Sequence, residues 1–207
     1  MLLNFEQLKL KHNMTIKGVI HIGAHIGQEY KTYEKHNIKN LMFFEPVPVT
    51  FKKLHENLSG KAILVNKALG NNNSKIKMNI ETANEGQSSS ILKPNLHLKQ
   101  YPHIQFNETV EVDMVRLDDY FINENINPED YNMINIDVQG YELEVFKGSQ
   151  NILNNISYII SEVNRDEVYE NCAKVQDLDV FLKKYGFDRV ETTWDGLTWG
   201  DALYVKG

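Results

Sequence analysis

Residues 16–27 read IKGVIHIGAHIG, an apolar run that ends in a bend bracketed by Gly23 and Gly27. Ile16 to Ile22 is rich in β-branched residues, which suit a strand buried on both faces. A helix is expected to follow through Tyr30 and Tyr33 to about Asn37, and Leu41 to Phe44 forms the next apolar run, stopped by Glu45-Pro46. Pro48 suits a first helical turn, and Phe51, Leu54 and Leu58 fall on one helical face before Gly60. Ala62 to Val65 reads as a third strand. Two strand–helix repeats in succession predict a doubly wound, mostly parallel sheet.

Downstream, Lys75 to Ile80 and Thr109 to Arg116 read as strands, separated by a loop-like stretch, residues 81–107, containing Gly86, Ser88-Ser89-Ser90, Pro94 and Pro102. So long an irregular segment inside a compact fold suggests a functional loop or lid. Leu117 to Ile122 begins a helix, with Asp118 and Asp119 placed to cap it. Strands are expected at Met133 to Val138 and Tyr158 to Val163, with helices over Gly140 to Leu153 and through Val175, Leu178, Leu182 and Tyr185, the second closed by Gly186. Arg189 to Thr193 and Ala202 to Val205 make a closing hairpin. No repeat or linker divides the chain, which predicts a single domain over 1–207.

The 207 residues are 42% hydrophobic and 24% charged, with 22 Lys and Arg against 28 Asp and Glu, a net charge of −6. That balance fits an ordered globular chain and does not favour nucleic acid or an anionic membrane as partner. No run is long enough for a membrane helix, and Met1 to Lys11 mixes Glu6, Lys9 and Lys11 with its leucines, unlike a secretory leader. The expected compartment is the cytoplasm. Cys172, the single cysteine, has no partner for a disulfide within the chain and reads as a small buried hydrophobe.

In a doubly wound sheet, ligands lie beyond the carboxyl ends of the strands. Gly23 and Gly27 bracket a bend there, and Glu45 ends the neighbouring strand, placed to accept hydrogen bonds from both hydroxyls of a ribose. A nicotinamide site usually has a glycine where this chain has His25; an imidazole there suits a nucleoside cofactor without a pyrophosphate, such as S-adenosyl-L-methionine. His21 and His25 stand four apart, but they straddle a strand end and a bend, so no metal is expected at this pair. His21 reads as packed at the strand end, His25 as bonded to loop backbone.

The segments GVIHIGAHIGQE, FFEPVPVTFKKLHENL, NKALG, GQSSSIL, VRLDDYF, INIDVQGYELEVF and IISEVN occur in that order from Gly18 to Asn164. Together they resemble the FkbM family of S-adenosylmethionine-dependent methyltransferases. The resemblance implies a Rossmann-like, class I methyltransferase fold: a mostly parallel seven-stranded sheet with a C-terminal antiparallel hairpin. It implies S-adenosyl-L-methionine as cofactor and S-adenosyl-L-homocysteine as product, held by His21, Gly23, Ala24, His25, Gly27, Glu45, Pro46, Ala68, Ser89 and Asp137. It also implies O-methylation, with a sugar hydroxyl of a glycan or glycoconjugate as acceptor. The chain departs from the family pattern at His21, Asn135 and Gln139, where Asp, Lys and Glu are usual.

A hydroxyl is a weak nucleophile at neutral pH, so its methylation calls for a general base or a divalent metal. Asp137 ends one strand, Glu142 opens the next helix and Glu162 ends the strand after that. Asp137 is expected to act as base or cofactor orienter, with Glu142 and Glu162 shaping the acceptor pocket; Mg²⁺ on such a rim stays open. Helix-dipole stabilisation is the competing role for Glu142. Trp194 and Trp199 suit either a sugar face or a packed hairpin. The competing activities are a nicotinamide-dependent sugar oxidoreductase or epimerase, although Tyr30 and Tyr141 lack the lysine four residues on, and a non-catalytic module of the same fold.

Overall fold

The structure, a computed structural model, describes residues 2–207. The chain opens with α1 (Phe5–Lys11), which the sequence reading did not anticipate; the Asn4 side chain accepts the Gln7 N–H and starts it. The first half then runs β1 (Gly18–Ile22), α2 (Tyr30–Lys35), β2 (Asn40–Phe44), α3 (Pro48–Leu58) and β3 (Ile63–Val65). A middle section follows with β4 (Ala68–Leu69), β5 (Ser74–Glu81), α4 (Leu96–Gln100), β6 (Phe106–Val115) and α5 (Leu117–Asn123). The second half comprises β7 (Met133–Ile136), α6 (Glu142–Lys147), β8 (Tyr158–Asn164), α7 (Val175–Lys183), β9 (Phe187–Trp194) and β10 (Trp199–Lys206).

Seven strands form the main sheet in the order β3-β2-β1-β7-β8-β10-β9, and β10 alone runs antiparallel to its neighbours. Strand order reverses between β1 and β7, and the connections leaving these two strands diverge and open a crevice. Side chains alternate across the sheet: Ile20, Ile22, Met42, Phe44, Ile134 and Ile136 pack on one face, Val19, Leu41, Phe43 and Met133 on the other. Both faces are buried, and each such aliphatic or aromatic side chain contributes about 1.5–3 kcal/mol. A second, three-stranded sheet, β4-β6-β5, was not foreseen as a separate layer.

Three expectations change. The helix predicted to reach Leu153 stops at Lys147, and its C-cap Gly148 lies against Gly70: a Cβ on Gly148 would stand 1.9 Å from the Gly70 carbonyl oxygen. A short 3₁₀ turn, Ile152–Asn154, replaces the rest. Its entry is capped by Asp118, whose carboxylate accepts the Asn151 and Ile152 N–H groups at 3.1 Å; Asp118 therefore serves this distant turn rather than its own helix. Asp119 instead accepts the Asn73 amide at 2.7 Å. The stretch 81–107 also holds α4 and is anchored rather than loose: the buried Glu81 carboxylate gathers the N–H groups of Ala83, Asn84 and Gly86.

Candidate active site

A cavity of about 570 Å³ opens at the carboxyl ends of β1, β2, β7 and β8 and is walled by residues 84–91, α4 and the start of β10. Strand order sets its layout. Glu45 after β2, Gly23 after β1, Asp137 after β7, Glu162 on β8 and Asp201 on β10 follow one another along the rim. With strands about 4.8 Å apart, the Glu45 and Asp137 strands are separated by about 10 Å.

At the first end, Gly23 turns with φ +79°, and a Cβ there would meet the Asp137 carbonyl oxygen at 1.8 Å. Gly23 and Ala24 donate their N–H groups to the Phe44 carbonyl, joining the bend to β2. The buried Glu45 carboxylate accepts the His25 N–H on one oxygen (2.9 Å) and the Val47 N–H on the other (2.8 Å). Burial outweighs both bonds and pushes its pKa up to about 7. Each oxygen keeps a second lone pair for a ligand hydroxyl. Pro46, Val47, Ala68, Leu69 and Met78 supply an apolar wall beside it. His25 bonds through Nδ1 to Gln28 and donates from Nε2 to the Glu85 carbonyl, linking the bend to the long loop.

His21 lines the cavity from β1 and is buried. The Asn135 amide donates to the Tyr33 hydroxyl (2.7 Å), which donates in turn to His21 Nδ1 (3.1 Å), leaving the His21 proton on Nε2 toward Glu29. Burial lowers the His21 pKa, so the ring is neutral near pH 7. Ser89 reaches the cavity while its hydroxyl accepts the Glu81 N–H.

At the second end, Asp137 lines the cavity and its side chain is exposed there. The Gln139 amide nitrogen bridges the Asp137 carboxyl and that of the buried Glu162, at 2.6 and 2.8 Å, so the two carboxyls face each other across one N–H₂ group. Burial and the facing Asp137 raise Glu162 well above the usual carboxylate range. Asp201, likewise raised by burial, accepts the N–H groups of Leu2 and Leu3. Beyond these carboxyls lie His97, Tyr101, His103 and Trp199. Trp199 Nε1 donates to the Tyr101 hydroxyl (2.8 Å), which donates to Asp195 (2.9 Å).

Of the catalytic and cofactor-site residues expected from the sequence, all but Gly27 and Glu142 line this cavity. Gly27 does not line the cavity; a Cβ there would collide with Leu58 and Leu54, so this glycine admits α3 close to the bend. Glu142 also faces elsewhere: its carboxylate accepts the Val138 and Gly140 N–H groups at 3.1 Å and shapes the turn after Asp137. Its buried position raises it to about 7. Of the two tryptophans, Trp199 lines the cavity, whereas Trp194 stacks under the Arg165 guanidinium at 3.8 Å. His97, Tyr101, Val168 and Asp201 carried no sequence signal, because nothing in their spacing reports that α4, the segment around Val168 and β10 converge. Among the described residues, no group of three or more His, Cys, Asp or Glu side chains is arranged to hold a metal ion.

A glycine bend after the first strand, an acid closing the second and a crevice at the strand-order reversal define a nucleoside-cofactor protein of the Rossmann-like class. Residues 21–189 match the family described as Methyltransferase FkbM domain, and the chain belongs to that family. The 2-O-methyltransferase NoeI of Sinorhizobium fredii (strain NBRC 101917 / NGR234) is 27% identical over 160 residues, 73% of this chain and 65% of that protein. The chain thus spans just under two thirds of this relative. Magnesium protoporphyrin IX methyltransferase (ChlM) from Synechocystis PCC 6803, solved with bound S-adenosylmethionine, superposes with a TM-score of 0.53 at 10% identity, over 98% of this chain and 76% of that one. The 1,6-didemethyltoxoflavin-N1-methyltransferase of Burkholderia thailandensis gives 0.50 at 9% identity, over 97% and 75%. At such identities the likeness is one of fold, the class I methyltransferase fold. No helix among the described residues is long and apolar enough to cross a membrane.

Proposed function

We propose that this chain is an S-adenosyl-L-methionine-dependent O-methyltransferase whose acceptor is a hydroxyl of a sugar or glycoconjugate. The observation that carries the reading is that one cavity presents an acid for a nucleoside at the β2 end and a carboxyl pair beside an aromatic wall at the β7–β8 end. When bound, the cofactor supplies a methyl group on a positively charged sulfur. Glu45 receives the ribose hydroxyls; Gly23 and Ala24 offer backbone without bulk; Pro46 and Ala68 flank the base; His21 and Ser89 border the remainder. Asp137, open to the cavity, accepts the proton that the acceptor hydroxyl loses. Trp199 and Tyr101 offer ring faces to a sugar. The name of NoeI, a 2-O-methyltransferase, favours oxygen over nitrogen or carbon as the methylated atom.

Glu142 enters this reading as a residue that positions the Asp137 turn. A cytoplasmic location is part of the proposal, in keeping with a single cysteine, Cys172, packed as a buried thiol.

Calorimetric titration with S-adenosylhomocysteine and with NAD tests the cofactor, and transfer of labelled methyl to a panel of rhamnosides, fucosides and glucosides tests the acceptor. Binding of S-adenosylhomocysteine but not NAD is expected, as is labelled product with at least one glycoside. Asp137→Asn is expected to lower transfer by about 10²–10⁴-fold while keeping most cofactor affinity. NAD binding in place of S-adenosylhomocysteine, or near-normal turnover in Asp137→Asn, would overturn the assignment.

A further inference from the structure

Gln139, in the turn after β7, makes side-chain and backbone contacts at the centre of the carboxyl end of the site. The side chain lies between the two carboxyls: Nε2 donates to Asp137 Oδ1 at 2.6 Å and to Glu162 Oε2 at 2.8 Å. Both amide hydrogens are thereby used. Its Oε1 accepts the Tyr169 hydroxyl at 2.7 Å, and its backbone carbonyl accepts the Ser90 hydroxyl at 2.7 Å. Tyr169 is fully buried and its hydroxyl also lies 3.0 Å from the Ser88 carbonyl. The backbone at Gln139 takes φ +54°, a left-handed conformation held by these bonds and by the Glu142 carboxylate beneath the turn.

We propose that Gln139 is a positioning residue that clamps Asp137 and Glu162 into a pair sharing one proton, and that ties this pair through the buried Tyr169 and Ser90 hydroxyls to the segment 88–90 beside the cavity. This rests on the reading of Asp137 as the proton acceptor. Two carboxylates held on the same amide nitrogen resist joint ionisation, so a single proton stays on the pair. Glu162, buried, holds it; Asp137, with one face open to the cavity, carries the charge. An amide that donates to both members stabilises the singly charged pair, because each carboxyl receives an N–H without meeting another negative charge. A glutamate in its place would supply acceptors where two donors are needed. The pair in this state can take up one further proton, as the removal of a hydroxyl proton requires. The groups facing it among the described residues are Glu142 from α6, Asp201 from β10, Glu29 ahead of α2, and the Tyr169 and Tyr101 hydroxyls. The acidic ones all oppose a second charge.

Titration of the unliganded protein by carbon-detected NMR, with carboxyl-labelled Asp and Glu assigned through Asp137→Asn and Glu162→Gln, reads this state directly and needs no acceptor. The Asp137 and Glu162 signals should move together in two well-separated steps, with one proton retained through neutral pH. Gln139→Leu should raise the first step by about one to two pH units. Gln139→Glu should add a third coupled carboxyl. Independent titration of the two residues in the wild type, with both ionised at neutral pH, would overturn the proposal, as would unchanged steps in a folded Gln139→Leu. S-adenosylhomocysteine affinity, which depends on Glu45, separates failure of the clamp from failure of the cofactor reading.

Discussion

The Glu45 carboxylate accepts the backbone N–H of His25 at 2.9 Å, so the acid that ends β2 and the bend that ends β1 hold each other in place. A ligand that engages this carboxylate therefore meets the bend in a fixed position, and the ordering cost of assembling the two is borne by the fold before binding.

Cofactor affinity is expected to depend on pH through Glu45. Its pKa of about 7 means that near neutrality only part of the population carries the carboxylate that accepts two hydroxyls. S-adenosylhomocysteine should bind about tenfold more tightly at about pH 8 than at about pH 6. Glu45→Gln should weaken binding and flatten this dependence in calorimetric titrations; a wild-type affinity that falls with pH would contradict it.

The same group sets a slope in stability. Its folded pKa lies above the ordinary value of 4.5, so between that value and about 7 the folded state holds a proton that the unfolded chain has released. Stability from this group is present below pH 4.5 and declines as pH rises to about 7, by on the order of 3 kcal/mol. Urea unfolding at intervals across this window should show a less negative slope for Glu45→Gln than for the wild type. The slope is the test, since the glutamine also faces one N–H donor with an amide nitrogen at every pH.

Tyr33→Phe removes the hydroxyl that receives the Asn135 amide and donates to His21. The site is buried, so water does not replace the lost bonds, and a destabilisation of about 1–3 kcal/mol is expected in equilibrium unfolding. The His21 imidazole should also lose its fixed tautomer, visible in ring-nitrogen NMR shifts.

Gly23→Ala should damage stability and site together. The residue holds φ +79°, and the new Cβ would overlap the Asp137 carbonyl. A loss of about 2–4 kcal/mol is expected from thermal or urea unfolding, with S-adenosylhomocysteine binding lost in whatever fraction remains folded. Gly60→Ala, with no atom within 4 Å of its Cβ, is the control for positive φ alone.

Periodicity made the strands and most helices of the main sheet legible, because each strand's apolar run and each glycine or proline stop is a local feature. It also brought out Glu45 and Asp137, since residues at strand ends in a doubly wound sheet share a rim. It failed where distant segments decide the outcome. Gly148 at the end of α6 must be a glycine because the distant Gly70 lies against it, and Asp118 caps a turn more than thirty residues away. Glu142, expected from its position in the chain to shape the acceptor pocket, is turned toward the backbone of residues 138–140 by contacts that spacing does not encode.

The amino-acid sequence by itself determined the alternation of strands and helices, the bend at Gly23 and the acid at Glu45, because hydrophobic period, turn chemistry and chain spacing are properties of neighbours. Only the tertiary structure decided that Gln139 lies between two carboxyls, that Tyr101 and Trp199 reach the same cavity, and that Gly27 lies against α3 instead of lining the cavity. Hydrogen bonds and close approaches between residues far apart in the chain depend on where the whole sheet places them.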